Sequence, residues 1–349
     1  MTKRYAELDA IRGLAAIMVV LYHYTTWHAQ SLGYSTTIPL FTFELGKTGV
    51  HLFFMVSGFV IFLTLDKTKS AFDFIVSRLS RLYPAYWIAV LLTFSIVTIF
   101  SLPGREVSIE HALLNLTMLQ KWLRIPAVDG VYWTLAIELA FYLIMFSLYL
   151  LNLLKRIELI SLLWLLLITA AYAAESRSGV TIHEAIKLTL LLTHGYLFIA
   201  GMMFYKFMIV KNFISLSIAF LSLIIGLYIG DTSIWLHCAF YATFTLFTCN
   251  LLKFIAVKPL VFLGSISYSL YLTHQNIGYV VIKLLEDYEL ANSVSVILTP
   301  SLISICIATI MYRLIEKPAL KRVRGYWQAS PLRSELARFS DKKFDPKIT

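Results

Sequence analysis

The sequence predicts an all-α, polytopic membrane protein of about ten transmembrane helices with both termini cytoplasmic. Three observations carry this. Hydrophobic residues make up 59% of the chain and charged residues only 14%, too apolar a balance for one soluble core. Apolar runs long enough to cross most of a bilayer recur from end to end. Basic residues also gather in alternate connections, as the preference of Lys and Arg for the cytoplasmic side requires. The net charge of +10 therefore belongs to topology, and no nucleic-acid partner is expected.

The predicted spans are 11–27, 49–65, 84–100, 131–151, 159–174, 185–205, 213–229, 234–252, 260–282 and 294–315. With the N-terminus inside, Lys3, Arg4, Arg12, Lys67, Lys69, Arg78, Arg81, Lys155, Arg156, Lys206, Lys211, Lys253, Lys258 and the basic tail share the cytoplasmic side. An odd number of spans would break this asymmetry. Residues 1–320 form the transmembrane domain and 321–349 a basic cytoplasmic tail, expected on the anionic inner leaflet or disordered.

The first span, in LDAIRGLAAIMVVLYHY, carries Asp9 and Arg12 at its start and His23 deep inside it. Ionisable groups in such a run are costly and mark function by default. Arg12 and His23 are eleven residues apart, which puts them on one helix face with a rise of roughly 16 Å. Those two charges also argue against cleavage at the faint signal-peptidase resemblance of Ala29-Gln30-Ser31, so the helix is expected to stay. Ser57, beside Gly58 in the second span, reads as close helix packing or as a polar pore-lining group. Arg78 and Arg81 lie where the third span leaves the cytoplasm, with Pro84 suited to a helix's first turn. Two arginines one turn apart suit a phosphate clamp, although basic residues belong on that side anyway.

The connection 101–130 contains ALLNLTMLQKWL between Pro103 and Pro126, which suits an interfacial helix and equally a surface loop. Glu138, in VYWTLAIELAFY, is expected about 10 Å below the outer surface, near the depth of His23. A histidine and a carboxylate at one level suggest a base and its charge-balancing partner, or a plain interhelical hydrogen bond. In GSISYSLYLTHQNIG, Tyr271 and His274 stand one turn apart and could bind hydroxyl groups, with aromatic anchoring the alternative. His194 alone among the remaining histidines looks intramembrane, and more structural than catalytic. Cys238, Cys249 and Cys306 lack metal-ligand spacing and read as buried free thiols. No metal is expected.

Taken together, six stretches in order resemble the acyltransferase 3 family of integral-membrane acyltransferases: LDAIRGLAAIMVVLYHY, GVHLFFMVSGFVI, FIVSRLSRLYPAYW, VDGVYWTLAIELAFY, GSISYSLYLTHQNI and RLIEKPALKR. The resemblance implies that Arg12 and His23 match an essential pair, Arg78 and Arg81 a basic donor motif, and Trp133 and Glu138 a Trp-x4-Glu pattern. Ser77 and Ser80 stand where further arginines often occur, which implies a weaker clamp. No SGNH-type esterase domain follows the tenth predicted span, so an acyl relay through one is not expected.

The function expected is O-acyl transfer in the bacterial inner membrane. Cytoplasmic acyl-coenzyme A, in the first place acetyl-coenzyme A, would bind at Arg12, Arg78 and Arg81. A hydroxyl of an extracytoplasmic glycan or lipid-linked sugar would bind near Ser57, Trp133, Tyr271 and His274, be deprotonated by His23 with Glu138 balancing charge, and attack the thioester. A proton-coupled exporter using His23 and Glu138, and a structural partner of glycan assembly, are the alternatives from other classes.

Overall fold

The computed structural model describes residues 5–31, 37–68, 70–230 and 233–340, so Lys3, Arg4 and Lys69 of the charge pattern lie outside the described residues. Helices account for nearly all regular structure, and no strand occurs among the described residues. In chain order the first are α1 (Ala6–Tyr22), α2 (His28–Ser31), α3 (Gly49–Leu65), α4 (Ala71–Phe100), α5 (Ile109–Asn115) and α6 (Gln120–Leu123). Next come α7 (Trp133–Leu150), α8 (Ile157–Ser178), α9 (Glu184–Thr189), α10 (Gly195–Val210), α11 (Phe213–Ile229) and α12 (Ile234–Thr248). The last are α13 (Lys258–Asp287), α14 (Ser295–Met311), α15 (Lys317–Ala329) and α16 (Pro331–Ser340).

Five helical stretches are long and apolar enough to cross a membrane: Glu44–Leu65, Ala71–Phe100, Gly130–Leu150, Leu154–Ser178 and Ser295–Ala329. Shorter apolar helices fill Gly195–Val210, Phe213–Ile229 and Ile234–Thr248. Two sequence expectations are corrected here. The third predicted span is only the second half of α4, which begins thirteen residues earlier, so Pro84 sits inside the helix and not in its first turn. A proline there removes one ladder hydrogen bond, a loss the long helix absorbs. The three cysteines are free but exposed. Cys238 and Cys306 sit on the outward faces of apolar helices, where a membrane and not the protein core would cover them, and Cys249 lies in the turn that follows α12.

The chain divides into two compact units. The first comprises residues 1–50, 80–136 and 255–321 and the second residues 51–79, 137–254 and 322–349. In the first, α1 packs along α13. A Cβ at Gly13 would strike the Leu260 carbonyl and one at Gly264 the Asp9 carbonyl, so reciprocal glycines let the two backbones touch. The second unit uses the same device, with Gly58 of α3 against the Phe198 carbonyl and Gly201 of α10 against that of Met55.

Two π-helical turns interrupt the first unit's helices, at His23–Trp27 and Tyr312–Glu316. Pro318 explains the second, because its ring clashes with the carbonyl four residues back, that of Leu314, and a wider turn relieves the clash. The tail expected to lie on lipid or be disordered is helical through residue 340 and docks on the start of α4. There Arg333 forms a bidentate ion pair with Asp73, whose Oδ1 also accepts Trp327 Nε1 at 2.7 Å. The acid had no visible partner in local sequence, and only the fold supplies one.

Candidate active site

The site assembles in the first unit, at the end of α1. Where α1 widens into its π turn, His23 faces a cavity of about 310 Å³. Single π turns of this kind recur at functional sites because they re-aim one side chain. The cavity wall includes Tyr22, Trp27, Lys47, Arg105, Trp133, Tyr271 and Gln275. Aromatic rings dominate, with two cations and an amide among them, the mixture that suits a hydroxylated, partly apolar ligand.

Behind His23 stands His274. Its Nδ1 lies 2.9 Å from the Tyr271 carbonyl and 3.2 Å from that of Leu270, and a carbonyl only accepts, so Nδ1 carries the proton. The Nε2 of His274 is then an acceptor, and it lies 3.2 Å from Nδ1 of His23. His23 Nδ1 also reaches the Val19 carbonyl at 2.8 Å, so it too is protonated. The remaining nitrogen of His23, Nε2, holds the lone pair. These four contacts assign one tautomer to each ring and leave His23 a proton acceptor on the ring edge away from its helix.

The rest of the wall is held rigidly. Tyr271 donates its hydroxyl to the Val131 carbonyl and accepts from Thr134 Oγ1 at 2.9 Å. The Trp133 ring lies 5.4 Å beneath the Lys121 ammonium. Gln275 fits against Gly130, where a Cβ would come within 2.9 Å of its amide. Below it Asp129, fully buried, accepts the backbone N–H groups of Val131 and Asn276. Burial pushes the Asp129 carboxyl up to about 7, opposed by those two N–H groups and by the Arg105 guanidinium.

Of the predicted donor arginines, Arg12 and Arg81 both bear electrostatically on Glu316, whose Oε2 accepts the Ser269 hydroxyl at 2.8 Å. The π turn places that carboxylate, which the sequence reading used only as part of a motif. Arg78 belongs to the second unit, buried, with Nη2 3.4 Å from Ser77 Oγ. Glu138 and Ser57 are also in the second unit, where Glu138 Oε1 accepts Tyr142 Oη at 2.6 Å and Ser57 Oγ at 3.2 Å. His194, read as the lone intramembrane histidine of its group, has company there. Its ring lies 6.2 Å from that of His51, itself 6.1 Å from His237, whose Nε2 meets the Tyr196 hydroxyl at 3.0 Å.

Sequence reasoning placed His23, Trp133 and Tyr271 at the site and gave His274 to substrate. It missed His274 as the partner of His23, and missed Arg105, Lys47 and Gln275. One signal was available. Ser267, Ser269, Thr273, His274, Gln275 and Asn276 make α13 unusually polar, and all are buried.

Comparison with known proteins gives a consistent picture. A family model described as an acyltransferase domain matches residues 5–313. The chain is 28% identical over 365 residues to the O-acetyltransferase OatA of Staphylococcus aureus, covering 90% of this chain and 57% of that one. It is 28% identical over 174 residues to the exopolysaccharide production protein ExoZ of Rhizobium meliloti, 47% of this chain and 52% of that one. It thus spans about half the length of the curated relatives it matches. No solved structure matches.

Proposed function

Because the chain belongs to the acyltransferase 3 family, we propose that it is a membrane O-acyltransferase. In this reading it moves an acyl group, in the first place acetyl, from acyl-coenzyme A on the cytoplasmic side to a hydroxyl of a cell-surface glycan. The observation that carries the proposal is the His274–His23 pair opening on the aromatic cavity. The names of the relatives, an O-acetyltransferase and an exopolysaccharide production protein, agree with the reaction and the acceptor class.

In the proposed mechanism a sugar rests against Trp27 and Trp133 with one hydroxyl at His23 Nε2. His23 takes that proton as the oxygen attacks the thioester carbonyl. The imidazolium then donates through Nδ1 to His274 and the Val19 carbonyl, both acceptors already in place. Arg105 and Gln275 on the cavity wall offer donors to the oxyanion that develops. Collapse of the intermediate expels the thiolate, which recovers the proton from His23. General-base help of this kind contributes about 10²–10⁴-fold, and holding both substrates in one site adds to it. The donor phosphates fall to Arg12, Arg81 and Arg78. Glu138, held by Tyr142 and Ser57, retains the charge-balancing role proposed from sequence, and the predicted topology of ten spans with both termini inside goes with this direction of transfer.

The test uses purified protein in lipid nanodiscs. His23→Ala is expected to bind acetyl-coenzyme A like the wild type and to lose acetyl transfer. Undiminished turnover in that variant would overturn the proposed role, and coenzyme A-independent, pH-driven flux would point to an exporter instead.

A further inference from the structure

The cavity at His23 carries a positive charge that the proposed chemistry uses only in passing. Arg105 enters the wall from the connection after α4. A turn puts it there: the Leu102 carbonyl accepts the Arg105 N–H at 3.1 Å, with Pro103 at the second position and Gly104 at the third, where φ is 73°. Leu102 is fully buried and anchors the turn. Farther along, Tyr86 Oη donates to the Asn115 carbonyl at 2.8 Å, while the Asn115 side chain bridges the Pro126 carbonyl and the Val128 N–H. The connection is therefore pinned, and Arg105 is held half-buried. Among the described residues its guanidinium forms neither an ion pair nor a hydrogen bond, and it lies over the Tyr279 ring, 5.9 Å from the centroid. Lys47, the other cation of the wall, is ion-paired with Glu44 at 2.7 Å. No acid lines the cavity. Asp129 below it gives Oδ1 to the Val131 N–H and Oδ2 to the Asn276 N–H, so it acts on Arg105 through space and not by contact. The oxyanion of the proposed mechanism is transient and draws on one or two of five guanidinium donors. The charge and the rest of the fork persist in the resting site, where they suit a carboxylate.

Resting on the O-acyltransferase reading, we propose that the acceptor is an acidic sugar, whose carboxylate is held by Arg105 while one of its hydroxyls faces His23 Nε2. At about 310 Å³ the cavity is at the small end of ligand sites, so a single sugar unit enters and carries both groups. The ligand class is a uronic acid or a sugar with an acidic substituent.

The probes are methyl glucuronide and methyl glucoside, which differ only in the carboxylate of the first. Binding is read with no acyl donor present, from the fluorescence of Trp27 and Trp133 on the cavity wall, in full-length protein in phosphatidylcholine nanodiscs. The wild type is expected to hold the glucuronide about tenfold more tightly, the size of one charge-assisted hydrogen bond. Arg105→Gln should remove that preference and still bind the glucoside, which also shows that the variant is folded. Arg105→Lys keeps the charge without the fork and should retain part of the preference, and it decides the matter if Arg105→Gln folds poorly. Equal affinity of the wild type for both sugars, or a preference that survives Arg105→Gln, would overturn the proposal. In the transfer assay, Arg105→Gln should raise KM for the glucuronide alone; an equal fall in kcat for both sugars with KM unchanged would confine Arg105 to the oxyanion and count against the acid site. A preference for succinyl- over acetyl-coenzyme A that Arg105→Gln removes would put the carboxylate on the acyl group and overturn the acceptor assignment. Absence of transfer to either sugar, with the Arg105-dependent preference intact, would count against the transferase reading and leave the acidic-sugar site standing.

Discussion

The two units share one building device and put it to different use. Each joins two helices through reciprocal glycines, Gly13 with Gly264 and Gly58 with Gly201. In the first unit the join brings polar side chains to a cavity that His23 faces from its π turn, while a second π turn places Glu316 at the Ser269 hydroxyl. In the second, polar groups close on one another, as Glu138 does with Tyr142 and Ser57, and His237 does with Tyr196. The difference teaches that a buried histidine points to chemistry when its outer nitrogen faces space, and to packing when both sides meet side chains.

The largest effect expected is on transfer. His23→Ala should lower turnover by about 10²–10⁴-fold, and His274→Ala should cost less, since it removes one of the two acceptors of the His23 Nδ1–H and leaves the Val19 carbonyl and the base in place. Steady-state kinetics in nanodiscs would show it, and equal turnover in His274→Ala would break the relay. Glu138→Gln tests whether the second unit shares in the chemistry. We expect a smaller fall in turnover with donor affinity unchanged, and full activity would confine the reaction to the first unit.

Stability effects come next. Gly264→Leu should abolish folding of the first unit and Gly58→Leu that of the second, because each drives a side chain into a neighbouring backbone. Recovery after mild detergent extraction would report it, and survival of either variant would show that the close contact is dispensable. Asp129 gives a pH signature. Its folded carboxyl titrates near 7 against an ordinary 3.8, so the folded state holds the proton more tightly. Stability from this group is therefore greatest below about pH 4 and is lost as the pH rises to about 7. Thermal midpoints across that window should fall in the wild type and stay flatter in Asp129→Asn. The smallest effect is at His237→Phe, where one hydrogen bond worth about 1 kcal/mol is lost. A slightly lowered midpoint with normal turnover would keep that cluster structural.

Much of the fold was legible because helix length and apolar content are local properties. The stretches 49–65, 131–151, 159–174 and 213–229 all emerge as helices with nearly their predicted bounds. Pro84 misled because a proline that suits a first turn is also tolerated within a long helix. His23 could be found from its cost inside an apolar run. Its partner could not, because 251 residues separate His23 from His274 and only the packing of α1 on α13 brings them together. Arg105 and Lys47 were hidden for a different reason: both sit in connections, where a cation is unremarkable until a cavity is seen beside it.

The outward thiols have a practical consequence. Cys238 and Cys306 lie within apolar helices with their sulfurs turned away from the protein. They are built-in depth gauges: maleimide adds to the thiolate, which forms only where water reaches, so a thiol immersed in lipid should label slowly and a wetted one quickly. Native labelling, with no engineered residue, would therefore read which stretches of α12 and α14 are immersed, and begin to count the crossings one helix at a time.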